Sequence, residues 1–445
     1  MYPTSAAYKT AIQQNIRDVC ISGTITLKDA TVINISDEDI VQGSLYFTEQ
    51  CVSGEDIEIG NVYASEMGLS LSSPPENPYN LDGARVVLNF GIDVGNGVYE
   101  YVPLGYFYVT EIERKNTVVA LKALDGMILL DVDIAGVQTS GTPFEIVEAC
   151  CARAGVTLAT SLETFNTFAN AGTTFVLPEE SNISTCRDLL MWVCQLTGTF
   201  ARMNRMGHLE VIPVTARASV KTISKDERFV SDVSDFFIKV NKVTMKVGET
   251  EYSQGTDGMT MALEENPFLI GREDAGINAA LGNILNQVTL AEYTPSNVDF
   301  PGDPSLQAGD YVTLTDAGIL DSEVETGTYF LSPAFPASIE VRRNIATSMI
   351  THHTWRYRGK HNLKSAGKSD LIQGVQSQQS KAVATVVGIA RAAQEIAKTA
   401  NQSTQLINDA IGGHVLVRRA PGETNEILIM DSADPDQAVK IWRWN

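Results

Sequence analysis

A long apolar heptad stripe near the carboxyl end constrains the fold of this 445-residue chain more than any other feature. With Ile372 as position a, ten of twelve consecutive a and d positions are apolar, and residues 372–410 contain no proline. This pattern predicts a helix roughly 60 Å long. The apolar positions that define it are Ile372, Val375, Val386, Ile389, Ala393, Ile396, Ala400 and Ile407, together with Ala382 and Ala410.

A stripe of this length needs a partner to cover it. One alternative is an amphipathic helix packed on the body of the same chain. Self-association as a parallel coiled coil is favoured, because the segment is terminal and long and ends in Gly412-Gly413. The mixture of isoleucine and alanine at a and d favours three strands over two. The sequence therefore predicts a homotrimer.

The last residues, "VKIWRWN", alternate as a strand does. Val439 and Ile441 fall on one face, and Trp442 and Trp444 fall on the other. The segment after Gly413 is too short to bury such residues alone, since a fold below ~40 residues usually needs oligomerisation or a crosslink. We therefore expect Trp442 and Trp444 to pack where a trimer brings three copies together.

Composition narrows the possible partners. The chain has 44% hydrophobic and 20% charged residues and a formal charge of -21. Neutralising phosphates requires clustered Lys and Arg, so an acidic chain is not expected to coat nucleic acid, although DNA can pass an acidic wall without sticking. No apolar run approaches the ~20 residues of a membrane span, and the start lacks the pattern of a secretory signal. We expect a protein that is soluble where it is made.

The patterns of alternation divide the body of the chain into a β-rich region, a segment with helices and a second β-rich region. Short alternating runs over residues 19–130, broken by Gly, Asp and Asn, are typical of an all-β barrel or sandwich. Two helical patterns and a hairpin follow. A second β-rich region spans 220–358 and contains one helical pattern at 272–288. The predicted fold class is mainly β with an α+β insert, and the predicted segments are 1–135, 136–219, 220–360, 361–412 and 413–445.

The insert has clear local signals. Thr142 and Glu145 form a capping box at the start of a helix, and Gly155 is placed to end it. A second helix is predicted over 184–198. The alternation that follows predicts a hairpin with its turn at 206–207.

Candidate catalytic and metal residues are few. Of the five histidines, the adjacent His352 and His353 would face opposite sides of a strand, so both are not expected to bind one metal. No G-x-S-x-G, P-loop or HExxH motif is present. Asp303 and Asp310 in "PGDPSLQAGDYVTL" could present oxygens to calcium, but a turn whose carboxylates satisfy its amides is favoured. We expect no enzymatic activity, no cofactor and no metal.

The cysteines and one basic stretch each leave an alternative open. The six cysteines lack a CxxC pair, so buried small apolar side chains are favoured over disulfides or a zinc site. The stretch "RYRGKHNLKSAGK" has five basic residues and no acid. It is interpreted as a solvated linker, with a docking strip for an acidic neighbour or a nearby nucleic acid as the alternative.

The order of several motifs resembles the tail-tip hub proteins of long-tailed bacteriophages, the phage minor structural protein or tail-associated hub family. Each motif is short, but their co-linear order extends from about Ile21 to the end of the chain. They are "GSLYFTEQC", "IEIGNVYASEMGL", "YVPLGYFYVTE", "LKALDGM", "CRDLLMWVCQLTGTFARMNRMGHLEV", "ENPFL", "PGDPSLQAGDYVTL" and "EILIMDSADPDQAVKIWRWN".

The resemblance implies a virion protein at the tail tip, assembled in the host cytoplasm. It implies a homotrimer with two β-barrel hub domains per chain, so that three chains present six similar barrels to a six-fold tail tube. Its implied partners are the distal tail protein ring, the tape-measure protein and a tail fibre, spike or receptor-binding protein. DNA would pass through the tube with no sequence-specific contact.

Relatives commonly continue beyond the "WRWN" motif with glycine-rich sequence. We therefore expect either separate spike polypeptides or a longer native chain. The alternative function is a receptor-binding or cell-wall-degrading tail protein or spike, in which the terminal β segment or a lost extension touches the host.

Overall fold

The computed structural model divides the chain into two compact units, residues 1–370 and 371–445. For the described residues of the first unit, side chains are included except at 78–79. For those of the second unit, only the backbone is described. The described residues are 1–72, 78–178, 181, 183–315, 345–368, 414–419, 425–430 and 438–444.

The first β-rich region confirms the predicted run of strands. Its residues alternate between buried apolar and more exposed polar side chains, as strands with one solvated face do. A short helix precedes them. The elements are α1 (Ala6–Ala11), β1 (Val19–Thr26), β2 (Val32–Ser36), β3 (Tyr46–Gln50), β4 (Glu66–Leu71), β5 (Arg85–Asp93), β6 (Tyr99–Lys115) and β7 (Val118–Asp125).

The helices and hairpin of the insert are confirmed. The Thr142 hydroxyl accepts from the Glu145 amide at 3.4 Å, the Glu145 carboxylate accepts from the Thr142 amide at 2.8 Å, and Gly155 has φ 69°. Gly207, with φ 73°, lies in the hairpin turn. The elements are β8 (Ser140–Gly141), α2 (Pro143–Ala154), α3 (Leu162–Phe165), β9 (Phe175–Val176), α4 (Cys186–Leu196), β10 (Thr199–Met203) and β11 (Leu209–Pro213).

The second β-rich region contains the predicted helix, α5, among short strands. Its elements are β12 (Ser219–Ile223), β13 (Val230–Val233), β14 (Ile238–Lys239), β15 (Lys242–Val247), β16 (Thr250–Gly255), β17 (Thr260–Leu263), α5 (Asp274–Val288), β18 (Glu292–Tyr293), β19 (Ser296–Phe300), β20 (Tyr311–Thr315), β21 (Ile345–Met349), β22 (His352–Arg356) and β23 (His361–Ser365).

One long sheet joins the two β-rich regions. Its eleven described strands run in the order β13-β19-β23-β22-β3-β4-β7-β6-β5-β1-β2, and every neighbouring pair is antiparallel. The regions meet where β3 pairs with β22, with Phe47 opposite Trp355. Within the described residues this sheet has two ends, β13 and β2, so the two closed barrels remain a prediction, as do the segment boundaries.

The core lies on one side of this sheet and under the insert. Apolar residues of β1 and β3–β7 pack with Trp355 and Tyr357. The insert packs in a second cluster that also contains residues of β15 and α5, in which α2 lies against α4. The insert therefore shares its core with part of the second β-rich region.

The prediction of a solvated linker is wrong for residues 361–365. These residues form β23, which pairs with β19 on one side and β22 on the other. The basic side chains find acids of the same chain: Arg358 pairs with Asp37 at 3.0 Å and Lys360 with Asp299 at 2.6 Å. Alternation in "HNLKS" places His361 and Leu363 inward, which is a strand pattern despite the positive charge.

The second unit contains a three-stranded antiparallel sheet. Its strands are β24 (His414–Arg419), β25 (Asn425–Met430) and β26 (Ala438–Trp444), in the order β24-β25-β26. The strand predicted from "VKIWRWN" is thus present. Trp442 lies opposite Ile427, and Trp444 lies opposite Asn425.

Candidate functional surface

The long sheet has two chemically different faces. Cross-strand partners have side chains on the same face, so the register defines each face across the strands. The buried face is apolar. The opposite face, here called the polar face, carries charged side chains such as Arg85, Arg356 and Lys364, and it includes a set of ten Ser, Thr and Asn side chains in the two β-rich regions. They are Ser22, Thr24 and Thr26 of β1, Asn34 and Ser36 of β2, Asn89 of β5, Thr48 of β3, Thr354 of β22, Asn362 of β23 and Asn297 of β19.

Each of these ten side chains is half-buried or exposed. Those of the first region lie side by side, because Ser22 is opposite both Ser36 and Asn89. Those of the second region also do so, because Thr354 is opposite Thr48 and Asn362. The polar face therefore carries two zones of small uncharged groups, one within the first β-rich region and one where β3 of that region meets β22 and β23 of the second.

Tyrosines and charged side chains lie beside the two zones, on the same strands and on β4, β6 and β7 between them. Arg85 stacks over Tyr106 with 5.7 Å to the ring centroid, and Arg356 stacks over Tyr46 at 5.1 Å. Partial burial and the hydrogen bond from Tyr46 to Glu66 at 2.6 Å raise the pKa of Tyr46 to about 12. These arginines cover aromatic rings on the protein itself.

The chemistry of the polar face is that of a surface that does not hold DNA. Retaining a phosphate backbone takes several unpaired Lys or Arg side chains in a row. Lys122 pairs with Glu111 at 2.9 Å. Hydroxyl and amide groups offer only weak, water-exchangeable contacts to phosphate. The face is suited to a polymer that moves past it.

A buried polar cluster lies behind this sheet, on its apolar face. Glu49 of β3 accepts a hydrogen bond from His353 of β22 at 2.8 Å, and His353 Nδ1 contacts His361 Nε2 of β23 at 3.0 Å. The Asp303 amide donates to His361 Nδ1 at 3.2 Å. Glu49, His353 and His361 are 6%, 1% and 0% exposed. The prediction that His352 and His353 face opposite sides is confirmed, because half-buried His352 lies on the polar face, opposite Gln50.

Arg205, at the tip of the insert hairpin, closes this cluster. Its guanidinium pairs with Glu49, donates to the carbonyl oxygens of Leu104 and Leu306, and stacks over Phe47 at 4.5 Å. Burial alone would raise the pKa of Glu49, but Arg205 and His353 hold that pKa well below its usual range. Burial also lowers the pKa of His361 well below its ordinary value.

The Asp303 and Asp310 loop is the predicted turn. Asp303 accepts from the Ser305 amide at 3.1 Å, and Asp310 accepts from the Gln307 amide at 2.9 Å. Lys221 neutralises Asp303 at 3.0 Å, and the amino group of Met1 donates to Asp310 at 2.6 Å. Burial opposes ionisation of Asp303, yet Lys221 and Ser305 lower its pKa.

The sequence signals did not reveal the cluster of Glu49, Arg205, His353 and His361. One feature of the sequence indicates the cluster. In "SLYFTEQC" the inward positions Leu45 and Phe47 are followed two residues later by Glu49, which puts a charge at a position where the strand pattern predicts an apolar residue. A buried charge is costly unless it is paired, so such a residue indicates a hidden partner. The position of that partner, about 150 residues further along the chain, has no local signature.

The cysteines occupy buried or half-buried positions as free thiols. Burial raises the pKa of Cys51, Cys151 and Cys194 to about 12 in each case. Among the described residues no group of three or more His, Cys, Asp and Glu side chains is arranged to hold a metal ion. Likewise, no described helix is long and apolar enough to cross a membrane.

The predicted coiled-coil residues lie outside the described part of the chain. These are Ile372, Val375, Val386, Ile389, Ala393, Ile396, Ala400 and Ile407. Trp442 and Trp444 lie in β26, and their packing in a trimer stays a prediction.

No protein-family model and no curated protein matches the chain. Among solved structures it is similar to the 43 kDa tail protein of prophage MuSo2 from Shewanella oneidensis, with 10% identity, a TM-score of 0.45, and coverage of 79% of this chain and 98% of that one. It is also similar to prophage tail protein gp18 from Listeria monocytogenes EGD-e, with 10% identity, a TM-score of 0.44, and coverage of 82% and 98%. A chain of a native gene transfer agent virion matches at 12% identity and TM-score 0.19, over 27% and 44%.

Proposed function

We propose that this chain is a structural protein of a bacteriophage tail, and that three copies form a hub at the distal end of the tail tube. The hub would adapt the six-fold tube to three-fold tip structures and guide DNA outward during ejection. The polar face of the sheet would line the passage. No catalytic role is proposed for the chain.

The observation that carries this proposal is the pair of neutral polar zones on one continuous sheet. An antiparallel sheet usually has one face on the core and one in water, and these zones set uncharged Ser, Thr and Asn side chains side by side on the outer face. A wall that DNA passes must be wettable and must not bind phosphate. Ser22, Thr24, Thr48 and Thr354 meet both conditions.

The motif order and the two β-rich regions support the hub position. The resemblance implies two β-barrel hub domains per chain, and the chain has two β-rich regions, with one polar zone in the first and one at its junction with the second. The heptad pattern supports a trimer, since Ile389 and Ile396 fall on the predicted seam. From the resemblance we further propose contacts with a distal tail protein ring, the tape-measure protein and a fibre, spike or receptor-binding protein.

Light scattering with mass determination tests the trimer. The proposal expects three times the chain mass of 48.3 kDa. A variant with Ile389→Asp and Ile396→Asp should fall to the mass of one chain, because charges at a and d positions cannot be buried in a seam. An unchanged monomeric mass for both proteins would favour the helix packed on its own body.

A gain-of-binding experiment tests the polar face. Thr24→Arg with Thr48→Arg should create salt-dependent binding to duplex DNA, and each new phosphate contact should steepen the salt dependence by about one unit of slope. The matched control places the same charges on exposed threonines elsewhere, Thr10→Arg with Thr117→Arg. In assembled particles only the first pair should slow ejection, and equal slowing by both pairs would contradict the proposed wall.

A zymogram on host cell walls addresses the wall-degrading alternative. Cleared bands from the purified chain would overturn the purely structural role. Mass and zymogram results are independent, so a trimer that digests cell walls would revise the function and leave the assembly intact.

A further inference from the structure

The buried hydrogen-bond chain behind the sheet has a property that the structural role does not require. We propose that the chain Asp303 N–H, His361, His353, Glu49 is a proton-sensitive latch. At neutral pH it holds the loop 301–310 and the hairpin turn 204–208 against the sheet, and in acid it releases them. This inference does not rest on the proposed function.

The direction of every hydrogen bond in the latch is fixed by one backbone amide. The Asp303 amide can only donate, so His361 Nδ1 must accept. A neutral His361 then carries its proton on Nε2 and donates to His353 Nδ1. His353 in turn carries its proton on Nε2 and donates to Glu49. Both rings are therefore neutral, in one tautomer each.

A further proton has no place to go in this arrangement. On His361 Nδ1 it would face the Asp303 N–H, so donor would meet donor. On His353 Nδ1 it would face the proton on His361 Nε2. Turning His361 to its other tautomer only moves the conflict back to Asp303. Protonation of His361 Nδ1 thus breaks the bond from the Asp303 amide that ties the loop to the sheet, and protonation of His353 Nδ1 breaks the bond between the two rings.

The charges around the rings are already balanced. Glu49 is neutralised by Arg205, and Asp303 by Lys221. A histidinium would add an unpaired positive charge to a site that is less than a tenth exposed, which is costly. The latch therefore cannot hold a protonated histidine while it stays closed.

The elements packed around the rings offer no further acid to accept that charge. Strand β19 contributes Phe300, which stacks on His361 at 5.1 Å, and α1 contributes the Tyr8 hydroxyl, which donates to Asp303 at 3.2 Å. Arg17 donates to the Gly302 carbonyl, and Arg202 donates to the Ala308 carbonyl. The titratable and charged groups facing the latch are Glu49 of β3, Arg202 of β10, Arg205 of the hairpin, Lys221 of β12, Asp303 of the loop, and Tyr8 and Arg17 of the N-terminal segment.

Opening would affect two segments together. The loop is held to the cluster by the Asp303 amide on His361 and the Ala308 amide on Glu49 at 3.2 Å. The hairpin is held by Arg205 on Glu49. The first contact ends on a ring, and the other two end on Glu49, which also accepts from His353, so loss of the ring bonds disturbs the anchors of both segments while the sheet itself stays paired.

Hydrogen–deuterium exchange of the full chain, followed by mass spectrometry and corrected for intrinsic rates, tests the latch. Peptides covering 301–310 and 204–208 should exchange faster as the pH falls from about 7 to about 5, by up to about tenfold per pH unit for each proton taken up. Peptides of α2 should not change. A rise of equal size in α2 would show general unfolding, and no rise at all would show that no latch exists.

Two variants replace the two rings by neutral groups of similar hydrogen-bonding shape, His361→Asn and His353→Gln. Each should flatten the pH dependence. The matched control, His208→Gln, removes an imidazole from the hairpin that carries Arg205. It leaves the hydrogen bonds of the latch unchanged and should keep the wild-type pH response. An undiminished pH response in both ring variants overturns the proposal.

A measurement on the unchanged protein covers the case in which these variants fold poorly. Deuterium exchange at the imidazole C2 position reports the titration of each histidine. In the closed state the pKa of His361 should lie well below its ordinary value. An ordinary midpoint for His361, at about pH 6.5, with the loop still protected, overturns the proposal.

Discussion

Replacing Arg205 by methionine should destabilise the first unit more than any surface charge substitution. The change removes the arginine that pairs with Glu49, so that His353 is the remaining side chain described in contact with this carboxylate. It also removes the donor to the carbonyls of Leu104 and Leu306. Methionine keeps most of the apolar contact with Phe47, so the loss is chiefly electrostatic.

The magnitude follows from burial. Arg205 is 2% exposed and Glu49 is 6% exposed, so solvent screens their interaction little. Removing one partner of such a pair leaves an uncompensated buried charge and typically costs about 3–5 kcal/mol of unfolding free energy. Partial rescue by His353 places our expectation at the lower end, about 3 kcal/mol.

Urea unfolding followed by tryptophan fluorescence measures the effect. Trp355 is 3% exposed and stacks on Phe47, with 5.4 Å between the ring centroids, so its emission reports this part of the core. Arg114→Met, at an exposed position of β6, is the matched control and should shift stability by less than about 0.5 kcal/mol.

A double-mutant cycle with Glu49→Gln identifies the pair as the cause. Once the carboxylate is neutral, Arg205→Met should cost much less than it does in the wild type, which gives a coupling energy of at least about 1 kcal/mol. A cost for Arg205→Met no larger than that of Arg114→Met, or simple additivity in the cycle, would refute the reasoning.

Three further outcomes are expected. Burial lowers the pKa of His361, so below about pH 6.5 the unfolded chain binds a proton that the folded chain does not. The free energy of unfolding should therefore decrease as the pH decreases in this range, by up to about 1.4 kcal/mol per pH unit. Burial raises the pKa of Asp125 to about 6, which acts in the opposite direction, so the effect is read as the difference between wild type and His361→Asn in urea titrations at several pH values. Thr142→Ala should cost about 1 kcal/mol in thermal or urea unfolding through loss of the helix cap. Gly309→Ala should be strongly destabilising in the same assay, because its φ is 88° and its added Cβ would lie 2.4 Å from the Phe200 ring.

The elements that could be predicted from sequence are those encoded by neighbouring residues. The capping box of Thr142 and Glu145 and the terminal Gly155 act within one helix, so the local pattern was enough. The hairpin turn at Gly207 and the turn at Asp303 were found for the same reason, since turn chemistry involves residues a few positions apart.

The long sheet could not be predicted in the same way. The pairing of β3 with β22 joins residues about 300 positions apart, and each strand alone only indicates that it has one buried face. The prediction of a linker around His361 is wrong because the alternation of inward and outward residues, and not the positive charge, determines the structure of this segment. Its basic side chains are accommodated by acids of the same chain, such as Asp37 and Asp299.

The candidate surface was also only partly accessible from sequence. Alternation in β1 places Ser22, Thr24 and Thr26 outward, but the second polar zone becomes visible only when Thr48, Thr354 and Asn362 are set side by side by the register. The acidic composition pointed to a wall that does not bind DNA. The structure adds two zones of uncharged side chains on one face of the long sheet.

A reconstruction of the assembled particle, with this chain located in it, tests the central claim most directly. The account predicts three copies at the distal end of a tail tube, with Ser22, Thr24, Thr48 and Thr354 facing the central passage. A single copy, or three copies with this face turned outward or covered by another protein, would contradict it.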